Sequence, residues 1–156
     1  MKQVVINRMY GQFSLSPLAL KYLIERKSDL ILCMKEGSKE LKKYFGKSYT
    51  MEDILRSYGI RGIFIRKIGK YNYNETRPHY LIDLKGKKMY TLINNIDDKK
   101  IREHKDLIDV VKKFKHKTNT GDCAPKIVLI PDDVEYDIEI DNYNKEIISE
   151  KHREWA

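Results

Sequence analysis

Three stretches of this chain carry residue types that could hold an anion. Tyr10-Gly11-Gln12-Phe13-Ser14 follows a short apolar run and leads into Ser16-Pro17, a strong helix start. A strand-to-helix turn of that kind aims backbone N–H groups and the positive helix end at one point, where phosphates and carboxylates bind. Gly11 permits close approach, Ser14 adds a hydroxyl, and Tyr10 and Phe13 offer flat faces for a base. The turn matches neither Gly-x-Gly-x-x-Gly nor the Gly-Lys-Ser/Thr phosphate loop, so the competing reading is a tight turn whose aromatics fill the core. Near the end of the sequence, His152-Arg153-Glu154-Trp155 pairs a guanidinium that could grip a phosphate with a ring that could stack. The alternative is a Trp that pins the tail to the surface. Arg102, His104 and Lys105 sit at a helix start, a third place for an anion, although charges are ordinary there. Asn72, Tyr73, Arg77 and His79 could contact a ligand but read better as solvated loop residues.

Catalytic signatures are missing. The chain has no Gly-x-Ser-x-Gly elbow, no His-Glu-x-x-His, and no His-x-Glu with Cys-x-x-Cys. Its four histidines are scattered, with no i, i+4 pair to suggest a metal site. No catalytic residue, metal or cofactor is therefore expected. Cys33 and Cys123 lie far apart and read as reduced, inert thiols, which fits a cytoplasmic protein. No apolar run approaches the ~20 residues that span a bilayer, and the first residues lack the pattern of a signal peptide.

The formal charge of +8 makes an anionic partner plausible without choosing between a polymer and a small molecule. Lys outnumbers Arg 23 to 8 in a chain also rich in Ile, Asn and Tyr, a bias that AT-rich coding produces on its own. Distribution says more than the total. Residues 132–154 hold nine Asp/Glu against three Lys/Arg, so an acidic end follows a basic body. The nearest approach to a basic stripe with an aromatic is Lys39, Lys42, Lys43, Tyr44 and Lys47.

The two ends together resemble a family of small phage and prophage proteins with no assigned activity. Those proteins begin with a strand, a Tyr-Gly-x-Phe-x-Leu-Ser turn and a helix, matched here by Val4 to Ser16. They end in an acidic strand pair and His-Arg-x-Trp, matched by Ile130-Pro131-Asp132 through Trp155. Gln12 stands where the family usually has a second Gly. By analogy with phage proteins that capture nucleotide signals of bacterial defence, the resemblance implies a non-catalytic binder of a small anionic, nucleotide-like ligand, with a homo-oligomer expected. The first alternative is a basic accessory protein that binds nucleic acid or a host protein, and the next is a phosphodiesterase-like enzyme that cleaves a nucleotide. Because the resemblance covers both ends, Trp155 is expected near Tyr10, in one shared site.

Positioning these residues requires an α+β domain, read as one unit over residues 1–156. Strands are predicted at Lys2–Asn7, Asp29–Met34, Ile60–Ile68 and Lys126–Ile130, with a hairpin over His79–Leu84 and Lys88–Asn94 turned by Lys85-Gly86-Lys87. Helices are predicted from Ser16 to about Lys27, over Lys39–Phe45 ahead of Gly46, from Thr50 to Tyr58, and over His104–Lys115. Val134, Tyr136, Ile138 and Ile140 alternate with Glu135, Asp137, Glu139 and Asp141, giving an acidic strand that turns at Asp141–Asn144 into Glu146–Glu150. The expected architecture is a mixed sheet, three to four helices and a C-terminal acidic hairpin. Leu20, Leu23, Ile24, Leu107, Val111, Ile127, Leu129, Tyr136 and Ile138 are expected in one core.

Overall fold

The computed structural model describes residues 1–58, 80–143 and 145–150. Helix starts are set by local chemistry. Ser16 caps α1 (Pro17–Glu25), its hydroxyl oxygen accepting from the Ala19 N–H at 3.3 Å. Ser38 does the same for α2 (Lys39–Phe45), which ends at Gly46 with φ 74°, a left-handed conformation that glycine takes without a Cβ clash. Thr50 and Asp53 cap α3 (Met51–Tyr58) reciprocally, at 3.1 and 3.3 Å. A single turn, α4 (Lys99–Arg102), leads to α5 (Lys105–Phe114), which is followed by a 3₁₀ turn over Lys115–Thr118.

Seven strands among the described residues form three antiparallel sheets in an α+β arrangement. β1 (Lys2–Asn7) pairs with β5 (Pro125–Ile130), Val4 facing Val128 and Val5 facing Ile127. β4 (Lys88–Leu92) is central between β2 (Ile31–Lys35) and β3 (Tyr80–Asp83). β6 (Tyr136–Ile140) and β7 (Glu146–Glu150) make the acidic hairpin, with Ile138 opposite Ile148. Its turn is held by the Asp141 carboxylate, which accepts from the N–H groups of Tyr143 at 2.8 Å and Lys145 at 2.9 Å. These hydrogen bonds, the Lys145 contact first, hold its carboxyl below the ordinary value.

Among the described residues the strands do not join into one mixed sheet, and alternation along β1 explains why. Successive side chains point to opposite faces. Val5 goes with Ile127 into a core shared with Leu20, Leu23, Leu107 and Val111 of α1 and α5. Val4 and Ile6 go to the other face, where Ile130 and Tyr136 join them and Ile138 packs alongside. The hairpin thus covers the β1–β5 sheet face-on instead of extending its edge. Tyr136 and Ile138 accordingly leave the expected single core for this second cluster, while Ile24 and Ile127 stay against the first. Leu129, opposite Gln3 on the outer strand of a two-stranded sheet, is 58% exposed and belongs to neither. A third cluster joins Leu41 of α2, Met51 and Ile54 of α3, and Met34, Ile82 and Met89 of the second sheet. No helix among the described residues is long and apolar enough to cross a membrane. The strand expected at Ile60–Ile68 lies outside the described residues.

A candidate anion-binding groove

The Tyr10–Ser14 turn is built by Asn7, a fully buried residue at the end of β1. Its amide nitrogen donates to the carbonyls of Gly11 at 2.9 Å and Asp122 at 3.2 Å, and its oxygen accepts from the N–H groups of Met9 and Ala124. Gly11 is needed for chain-on-chain packing: a Cβ there would lie 2.5 Å from the Asp122 carbonyl oxygen. Ser14 is buried, with its hydroxyl 2.7 Å from that of Thr120. Phe13 is buried too, and Tyr10 stands 66% exposed. Of the ring-bearing and hydroxyl groups assigned to a ligand in this turn, only Tyr10 faces solvent.

Arg102 departs furthest from the sequence reading. It ends α4, and it is 1% exposed. Its Nε donates to the Ile96 carbonyl at 2.7 Å, Nη1 to Glu146 at 2.6 Å and the Val5 carbonyl at 3.2 Å, and Nη2 to Asp97 at 3.0 Å and Glu146 at 2.9 Å. The guanidinium also lies 3.9 Å from the Phe13 ring centroid. Every side-chain nitrogen is engaged internally, so Arg102 is a clasp between the β1–β5 sheet and the hairpin and is closed to a ligand. His104 caps α5: its Nδ1 accepts from the Asp106 N–H at 3.0 Å. Lys105 is exposed on the first turn. His152, Arg153 and Trp155, together with Asn72, Tyr73, Arg77 and His79, lie outside the described residues, so the expected meeting of Trp155 with Tyr10 does too.

A different set of cations converges where the end of α5 meets β5. Arg8, Lys112, Lys115, His116 and Lys126 line a groove of about 490 Å³ whose floor includes Val111, Pro125 and Ile127. All five basic side chains are exposed. Among the described residues none of Arg8, Lys112, Lys115 and Lys126 has a carboxylate in ion-pairing range; Lys112 donates to the neutral Gln3 side chain at 3.1 Å. Lys115 is also conformationally unusual. It has φ 50° and ψ −125°, a region L-residues avoid, and the Thr118 hydroxyl holds it by donating to its carbonyl at 2.6 Å. Non-glycine residues kept in such regions cost about 1–3 kcal/mol and cluster at functional sites.

The sequence reading missed this groove. Its one local sign is Lys112-Lys113-x-Lys115-His116 at the end of an amphipathic helix, where cations are ordinary because they complement the helix dipole. Among the described residues, no group of three or more His, Cys, Asp or Glu could hold a metal ion. No protein family, curated protein or solved structure matches the chain.

Proposed function

We propose that the protein is a non-catalytic binder of a small anionic, nucleotide-like ligand, held in the α5–β5 groove. The observation that carries this reading is the convergence on an apolar floor of His116 and four cations that, among the described residues, have no carboxylate within ion-pairing distance. Exposed cations suit phosphate oxygens, and the floor of Val111, Pro125 and Ile127 suits the flat or apolar part of the same molecule. A volume of about 490 Å³ falls within the roughly 300–1,000 Å³ of small-molecule sites. The strained Lys115 adds independent support, because it holds a charged side chain at the groove at a conformational cost. The resemblance to phage proteins extends the reading to a protein that sequesters a nucleotide signal of bacterial defence, acting in the host cytoplasm as a homo-oligomer.

Thermal-shift screening against nucleotide second messengers, beside single-stranded and duplex nucleic acid, tests the reading. A ligand at 100 times its dissociation constant adds about 2.7 kcal/mol, which a melting curve resolves. Salt then separates ligand classes. Duplex DNA contacting all four cations loses affinity with a log–log slope near −4, whereas a ligand with two phosphates gives a much shallower slope. Steep salt dependence with duplex or single-stranded nucleic acid, and no shift with any nucleotide, would replace this reading by the accessory-protein alternative.

A further inference from the structure

The last turn of α5 closes on a residue that does not suit its backbone. Helices commonly end on a glycine at positive φ, but here Lys115 takes that place at φ 50°, its N–H donating to the Val111 carbonyl. A lysine stays there only where other contacts outweigh the steric cost of its Cβ. The Thr118 hydroxyl makes one such contact, donating to the Lys115 carbonyl at 2.6 Å. Thr118 is fully buried and does not line the groove. It is fixed in turn by the start of α1. Its carbonyl accepts from the Ser16 N–H at 3.0 Å, and the Ser16 hydroxyl donates to the Lys117 carbonyl at 2.6 Å.

These bonds run from the first helix to the edge of the groove, which Lys115 lines together with Arg8, Lys112 and Lys126. The direction in which a side chain leaves the chain follows the backbone conformation, so a backbone that relaxes at Lys115 aims its ammonium elsewhere. A cation already held in place also loses less freedom when it meets a phosphate. We propose that Thr118 is a positioning residue: its hydroxyl keeps Lys115 in the conformation that brings this cation to the groove, and it acts without touching the ligand. The proposal rests on the anion-groove reading and deepens it, because affinity then depends on a buried hydroxyl as well as on exposed charge.

The experiment is a calorimetric titration of the intact protein with inorganic pyrophosphate and with ADP. Thr118→Val, which removes the hydroxyl and keeps the branched shape, should weaken binding by about tenfold. Thr118→Ser, which keeps the hydroxyl, should stay within about twofold of the native affinity. Adding Thr118→Val to Lys115→Ala should change affinity by less than about twofold, because the cation it positions is gone. A hydroxyl that served only the fold would weaken binding equally in both backgrounds. Melting curves establish that each variant is folded, and Thr118→Ala against Thr118→Ser gives the same comparison where the valine variant is not. Undiminished affinity in Thr118→Val, or in Thr118→Ala where that variant stands in, overturns the proposal alone, as does an equal loss with and without Lys115. Absence of saturable binding of both probes to the native protein overturns the groove reading and the proposal together.

Discussion

The molecule holds positive charge in two ways. Arg102 is buried, stacked on Phe13 and bonded to Glu146, Asp97 and two backbone carbonyls. Arg8, Lys112, Lys115 and Lys126 are exposed and, among the described residues, have no carboxylate within ion-pairing distance. Desolvating Arg102 is offset only by its full set of partners, so its electrostatics serve the fold. The groove cations are exposed, so theirs face solvent. Residue type does not separate the two cases; the partner set does.

Breaking the clasp should have the largest effect. Glu146→Ala leaves a buried guanidinium short of its bidentate partner and should cost about 3–5 kcal/mol in denaturant unfolding. Lys112→Ala should move stability by no more than about 0.5 kcal/mol. Equal losses at both positions would erase the distinction.

Lys115→Gly sharpens it further. Glycine adopts φ 50° without strain, which recovers about 1–3 kcal/mol, although its looser unfolded chain gives back roughly 1 kcal/mol. The melting temperature should hold or rise while nucleotide affinity falls by about tenfold. A variant that melts lower and binds normally would make the Lys115 conformation a purely structural feature.

The cysteines report on the same inside–outside contrast. Burial raises the Cys123 thiol to about 12 from an ordinary 9.0. The neutral thiol therefore contributes its full stability below pH 9.0, and that stability is lost as pH rises toward 12. In thiol-labelling kinetics Cys33, which is exposed, should react at once and Cys123 only on unfolding. The smallest effect belongs to Asp141, half-buried at the hairpin turn. Its depressed carboxyl supports the turn above the ordinary carboxylate range and loses that support as pH falls through its lowered value. Asp141→Asn should speed amide exchange in β6 and β7 near neutral pH and leave β1 and β5 unchanged.

Much of the fold was legible because its signals are local. Ser16-Pro17, Ser38, Gly46 and Thr50-x-x-Asp53 each fix a helix end through neighbours within one turn. The acidic hairpin was legible from strict alternation. The association of its strands with a second face of β1 was not, because Val4-Val5-Ile6 reads as one apolar run whichever way each residue points. The site was less legible still. Arg102 follows Asp97-Asp98-Lys99-Lys100, which reads as a solvated helix start, and its decisive partner Glu146 comes from a distant hairpin. Phe13 and Ser14 looked available for a ligand because nothing in the turn reveals that Arg102 and Thr120 already occupy them. The groove draws Arg8, Lys112, Lys115 and Lys126 from three separate stretches, each unremarkable by itself.

The most direct test of the contrast is equilibrium binding of the nucleotide panel to the native protein and to Lys112→Ala with Lys115→Ala, with melting curves for both. The account predicts that the native protein binds at least one nucleotide, and that the double variant melts within a degree or two of it but loses at least about tenfold in affinity. Undiminished affinity in the double variant, or no nucleotide bound by the native protein, would contradict it.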